Sequence, residues 1–249
     1  MNEYAPNLYL DILKQSHTLI AGQTGSGKSV MLNGILTTAC KQGNNIMILI
    51  DPKRVELRDY KRLPNCVAYA NTSAETVDAL GYAIDLMEQR YRKMERTGQT
   101  LYDGDPIIVV IDELADLLIS EDSREIQAQL QRLTALGRAA LVKVICATQC
   151  PNRTILKANI VLNFSARVAL RCQTSIESRQ VINVKGAEDL PMYGKCLYLR
   201  PGYNLQIADV PLTDAIDKAE AIAYCTELNA GYGRKGIGKL FANLFGKCA

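Results

Sequence analysis

The sequence predicts an α/β fold in which a mostly parallel central sheet is flanked by helices, with extra strands toward the carboxyl terminus. Three observations carry this. Short apolar runs recur at residues 17–21, 45–50, 107–111 and 141–147, and continuous apolar runs of that length read as strands buried on both faces. Stretches of helical periodicity lie between them, and strand–helix alternation implies a parallel sheet. A glycine-rich turn, Gly22-Gln23-Thr24-Gly25-Ser26-Gly27-Lys28-Ser29, joins the first strand to the first helix.

That turn fits the pattern G-x-x-x-x-G-K-[ST] at every fixed position. Glycines permit backbone angles and close approaches that a Cβ forbids. The successive N–H groups of Gly22 to Val30 then form a concave nest for anions. The helix start adds its positive dipole end. Lys28 supplies a full charge for β- and γ-phosphates, and the Ser29 hydroxyl suits a Mg²⁺ ligand. The strand before it (His17–Ala21) and the helix after it (Ser29–Lys41) are the setting this loop requires. The expectation is a site for a nucleoside triphosphate, ATP, with Mg²⁺.

Bulk properties set the frame. The chain has 249 residues, 48% apolar and 22% charged, which suits one packed domain. No apolar run reaches the length of a membrane span, and the first residues lack a basic segment followed by an apolar core, so no signal peptide is read there. Eight cysteines are spread singly without a C-x-x-C pair. This fits reduced thiols and a cytoplasmic location better than disulfides or zinc. The net charge is +3, but residues 231–249 carry Arg234, Lys235, Lys239 and Lys247 with no acid. The remainder is close to neutral, so a nucleic-acid role would need local basic loops. We divide the chain into a main domain at 1–230 and a basic tail at 231–249. Ile237, Leu240, Phe241, Leu244 and Phe245 give the tail an amphipathic helical spacing. The tail reads either as a helix docked on its own domain or as a contact with a neighbour or a membrane surface.

Along the chain, residues 1–16 form a lead-in. After the strand at 45–50 a loop-rich stretch runs to about Asn71. A long helix follows, capped at Thr72 or Ser73, with Val77, Leu80, Ile84, Met87, Tyr91 and Met94 as its inward stripe. Arg90, Arg92, Lys93 and Arg96 read as its solvated face. The run Ile107-Ile108-Val109-Val110-Ile111 ends in Asp112-Glu113, which delivers two carboxylates to the carboxyl edge of a parallel sheet. Asp112 suits Mg²⁺, and Glu113 suits a base that orients and deprotonates water. A helix at 123–138 leads to a strand at 141–147, with Gln149 at its end as a candidate γ-phosphate sensor. Alternation over 160–170, 196–199 and 205–210 predicts further strands, and a last helix covers about 213–229.

Several blocks together resemble the FtsK/SpoIIIE DNA translocases of the FtsK–HerA group. They are AGQTGSGKS (21–29), IDPKRVEL (50–57), VVIDELADLL (109–118), LGRAA (136–140), ATQCP (147–151), LKAN (156–159), SIESR (175–179) and LYLRPG (197–202). The resemblance implies a RecA-like ATPase that assembles as a homo-oligomeric, hexameric ring and moves duplex DNA. It gives Lys28, Ser29 and Asp112 the nucleotide and metal roles and Glu113 the catalytic one. Gln149 becomes a sensor, and Arg138 a residue reaching the ATP of the next subunit. Arg153, Lys157 and Arg179 fall near the DNA-facing loops. The sequence departs from the family where Cys150 follows Gln149 in place of the usual arginine, and where Ser175 replaces a common lysine. A single-stranded DNA motor of the conjugative coupling type, a small-molecule kinase and a nucleotide-dependent scaffold remain alternative readings. Glu113 beside Asp112 argues against the kinase.

Overall fold

The computed structural model describes residues 3–4, 7–149, 151 and 158–230. Within them a single nine-stranded sheet runs in the order β1-β9-β8-β7-β2-β6-β5-β3-β4. Its strands are β1 (Glu3–Tyr4), β2 (His17–Ala21), β3 (Ile46–Ile50), β4 (Cys66–Ala70), β5 (Ile107–Ile111), β6 (Val142–Thr148), β7 (Ala166–Ala169), β8 (Lys195–Leu199) and β9 (Gln206–Asp209). The helices are α1 (Leu8–Lys14), α2 (Lys28–Gln42), α3 (Ser73–Thr97), α4 (Leu114–Leu118), α5 (Ser123–Leu136), α6 (Ala158–Asn163), α7 (Ser175–Ile182) and α8 (Ala215–Leu228). Among the described strands only β8 runs against the rest, pairing antiparallel with β7 and β9.

The apolar runs of β2, β3, β5 and β6 are continuous because these central strands are buried on both sides. Alternate residues of β3, Met47 and Leu49, join a core with α1, α2 and α8. Their neighbours Ile48 and Ile50 join another with α3 and α5. Leu80, Met87, Leu130 and Leu133 have no exposed surface in that second layer, and trimming one such side chain to Ala costs roughly 2–5 kcal/mol.

The chain leaves β2, passes through α2 to β3, and later inserts β5 and β6 between β2 and β3. The register aligns their ends: Ile50 faces Ile111, Ile111 faces Cys146, and Ala21 faces Thr148. Residues just past these ends therefore gather at one edge of the sheet.

The structure corrects the sequence reading in several places. The stretch taken as loop before Asn71 contains β4, an edge strand paired only with β3. Its alanines gave little alternation to read. Residues 1–16 include α1, whose N-cap Asn7 accepts from Leu10 N, and β1, which pairs with β9. Residues 158–163 are helical, so the predicted strand shrinks to β7; a short apolar run does not distinguish the two. Helix α7 was not anticipated, although its cap is local: Thr174 accepts from Glu177 N and Glu177 accepts from Gln173 N. Arg90 is not solvated. It is buried, donates to the carbonyls of Asp105, Ala140 and Leu141, and stacks over Tyr102. The basic tail lies outside the described residues. Among them, no helix is long and apolar enough to cross a membrane.

Candidate active site

The loop from Gly22 to Gly27 leaves β2 under close constraint. Gly22 N donates to Thr148 O, Gln23 N to Arg171 O, and Ser26 N to Gln23 O. A Cβ on Gly22 would lie 2.5 Å from Ser26 Oγ and 2.7 Å from Leu170 Cβ, so the backbone passes where no side chain fits. Gly27, at φ 93°, caps α2 in the left-handed region. No side chain bonds to this helix start and no acid lies in its first turn. The N–H groups of Lys28, Ser29 and Val30 therefore remain free of intrahelical partners.

Residues just past three strand ends, those of β3, β5 and β6, gather beside this loop. Lys28 is buried, and its Nζ lies 3.7 Å from Asp112 Oδ1 and 3.7 Å from Glu113 Oε2. Glu113 is buried too. Its Oε1 accepts from Gln149 N at 3.0 Å, and its Oε2 lies 3.1 Å from Lys53 Nζ. The Gln149 side chain reaches back to the loop, accepting from Thr24 Oγ1 at 2.9 Å. The structure thus brings Lys28, Asp112, Glu113 and Gln149 into one cleft at the carboxyl edge of the sheet.

Asp112 is the strained member. Burial pushes its carboxyl up to about 6 against the pull of Lys28, and the charges of Asp51, Glu56 and Glu113 push the same way. Both of its oxygens are buried with no hydrogen-bond donor. A buried carboxylate lacking donors, and a serine hydroxyl whose proton goes to Glu56, both offer hard oxygens. Asp112 and Ser29 therefore fit Mg²⁺.

Other predicted residues lie apart. Gln23 Nε2 contacts Met192 Sδ at 3.2 Å, and Val30 packs partly against the core. Arg138 is exposed in the turn between α5 and β6. That turn precedes β6, whereas the cleft follows it, so about 20 Å of strand separates them. Arg179 is exposed on α7. Arg153 and Lys157 lie outside the described residues, as does Cys150.

Two charged residues at the cleft had no role in the sequence reading. Lys53 and Glu56 sit on the loop after β3, and Ser29 Oγ donates to Glu56 Oε1 at 2.7 Å. Charged residues just past a buried parallel strand were the available signal.

The description "FtsK/SpoIIIE family" fits residues 5–104. The chain is 30% identical over 260 residues to "DNA translocase FtsK" of Rhizobium meliloti (strain 1021), covering 86% of this chain and 29% of that protein. It is 34% identical over 217 residues to "DNA translocase SpoIIIE" of Bacillus subtilis (strain 168), covering 78% and 27%. The chain thus spans under a third of the length of these relatives. Among solved structures it is similar to the pCW3 conjugation coupling protein TcpA in its monomer form with ATPγS. That likeness has a TM-score of 0.74 and 26% identity, covering 86% of this chain and 66% of the other. Strand ends, loop and sequence agree on one relationship: the chain belongs to the FtsK/SpoIIIE family.

Proposed function

We propose that this chain is an ATPase motor that couples ATP hydrolysis to movement along double-stranded DNA, working as a homo-oligomeric, hexameric ring in the cytoplasm. The observation that carries this reading is the convergence of Lys28, Asp112, Glu113 and Gln149 on the loop at one edge of the sheet. Glu113 takes a proton from water as that water attacks the γ-phosphorus. The β–γ anhydride bond breaks, giving ADP and phosphate. Lys28 and the loop N–H groups hold the phosphate charge, and Gln149, tied to Thr24 and Glu113, links the γ-phosphate position to the base. Ser29 and Asp112 would hold Mg²⁺, which would supply positive charge to offset that of the phosphates. In this reading 1–230 is the motor domain and 231–249 an accessory tail.

Names of the relatives support DNA as the partner, with Arg153, Lys157 and Arg179 as phosphate contacts. The likeness to TcpA favours a second reading, a motor of the conjugative coupling type acting on a single strand. Residues 150–159 contain no Tyr, Phe or Trp, whereas single-strand grooves use stacking aromatics, so duplex phosphate tracking is preferred. Steady-state ATP hydrolysis with no DNA, duplex or single-stranded DNA separates the readings. Stimulation by duplex supports the proposal, stimulation by single strands alone supports the second reading, and indifference to both contradicts a DNA motor.

A further inference from the structure

The loop between β3 and β4 puts a carboxylate on the phosphate loop where the nucleotide reading assigns none. Glu56 Oε1 accepts from Ser29 Oγ at 2.7 Å. This loop is rigidly built. Asp51, fully buried, accepts from Val55 N, Leu57 N and Tyr69 Oη. Arg54 N donates to Asp51 O, and Arg54 takes a left-handed φ of 61°, a conformation a non-glycine residue holds only where its surroundings enforce it. Leu57 and Tyr60 have no exposed surface, and Tyr60 Oη bonds to Asn33 on α2. Glu56 is therefore clamped between anchors on the sheet and anchors on the helix that carries Ser29.

A serine hydroxyl has one proton and two lone pairs. With the proton committed to Glu56, only lone pairs remain for any other neighbour. That is the state a cation requires of its ligand. The charge balance agrees. The charges of Asp51, Glu56 and Glu113 all bear on Asp112, and among the described residues Lys28 and Lys53 are the lysines in ion pairs with Asp112 and Glu113. Four carboxylates against two ammonium groups leave an excess of negative charge that a divalent cation cancels.

We propose that Glu56 is a positioning residue for the metal. It holds the Ser29 proton, turns the hydroxyl lone pairs toward the divalent cation that accompanies the nucleotide, and adds negative charge behind it. This inference rests on the nucleotide reading above. The bland alternative is a loop-to-helix tether, which would act on stability and not on metal.

The test is equilibrium binding of a fluorescent ATPγS analogue with Mg²⁺ and with EDTA, together with a Mg²⁺ titration at fixed nucleotide. Wild type, Glu56→Ala, Glu56→Gln and Lys28→Ala are compared, and melting of each without ligand checks the fold. Removing a partner of a metal ligand weakens metal affinity by roughly 10–100-fold. Glu56→Ala should raise half-saturating Mg²⁺ by about that factor and leave metal-free nucleotide affinity unchanged or higher. Glu56→Gln, whose amide oxygen still accepts from Ser29, should lose less. A Mg²⁺ dependence in both variants equal to wild type overturns the proposal, as does an equal loss with and without Mg²⁺. Failure of the nucleotide reading looks different: wild type would bind no better than Lys28→Ala under any condition.

Discussion

Lys53 Nζ lies 3.1 Å from Glu113 Oε2, while Gln149 N holds the other oxygen of the same carboxylate at 3.0 Å. The half-exposed lysine and the backbone amide fix the plane of a buried carboxylate from two sides. Lys53→Met should leave nucleotide binding intact and lower turnover by roughly 10- to 100-fold, because a misplaced base costs rate without costing affinity. Lys53→Arg should keep much of the rate. The check is a double-mutant cycle on turnover: added to Glu113→Gln, the Lys53 change should have no further effect. Additive losses would mean that Lys53 acts elsewhere.

Arg138 sits at the edge of the sheet opposite its own cleft, so any direct action on ATP must occur in a neighbouring subunit. Arg138→Ala should fold and bind nucleotide, yet lose about 10³–10⁵ in hydrolysis if it stabilises transferring charge. A surface ion pair would account for about 1 kcal/mol or less. Mixing Arg138→Ala with Lys28→Ala should restore part of the activity, since head-to-tail contacts would pair an intact loop with an intact Arg138. Near-normal turnover by the single variant would rule out the role.

Titration of His17 gives a stability prediction independent of the cleft. Its side chain is buried, its Nδ1 accepts from Val144 N, and burial together with nearby Lys143 pushes its pKa down from 6.5 to about 4. Between those values the unfolded chain binds the proton and the folded chain does not. Stability from this group is therefore complete above about pH 6.5 and lost as pH falls toward 4. The loss is at most roughly 3 kcal/mol. Urea midpoints between pH 4 and 7 should fall more steeply for wild type than for His17→Asn. Parallel profiles would contradict the assignment.

If Arg153, Lys157 and Arg179 contact phosphates, DNA affinity should fall steeply with salt and vary little with sequence. Neutralising all three should reduce the slope of log affinity against log salt by about 2 to 3 and leave basal hydrolysis unchanged. An unchanged slope would move the DNA to another surface, with the basic tail next to be tested.

Much of this cleft is legible in the sequence because parallel strands buried on both faces leave a plain signature. Apolar runs ending in Asp112-Glu113 and at Gln149 point to one sheet edge, and the glycine turn marks the same edge. The loop residues Lys53 and Glu56 are less legible. Their partners, Glu113 and Ser29, are 60 and 27 residues away; the pairing of β5 with β3 brings Glu113 to Lys53, and the return of the chain along α2 and β3 brings Glu56 to Ser29. Arg90 misled for a related reason. Its helical neighbours Arg92, Lys93 and Arg96 are exposed, and nothing local announces that carbonyls from residues 105, 140 and 141 converge on it. β4 stayed hidden because an edge strand of small residues carries little hydrophobic pattern.

Movement itself is the most direct test: ATP-driven displacement of a third strand bound to duplex DNA, measured with wild type and Glu113→Gln. The account predicts displacement that requires ATP and Mg²⁺, with a lag that lengthens with the tract between loading site and third strand. It also predicts that Glu113→Gln binds ATP but displaces nothing, since loss of a positioned base costs roughly 10²–10⁴ in rate. Duplex-stimulated hydrolysis without displacement, or full displacement by Glu113→Gln, would contradict it.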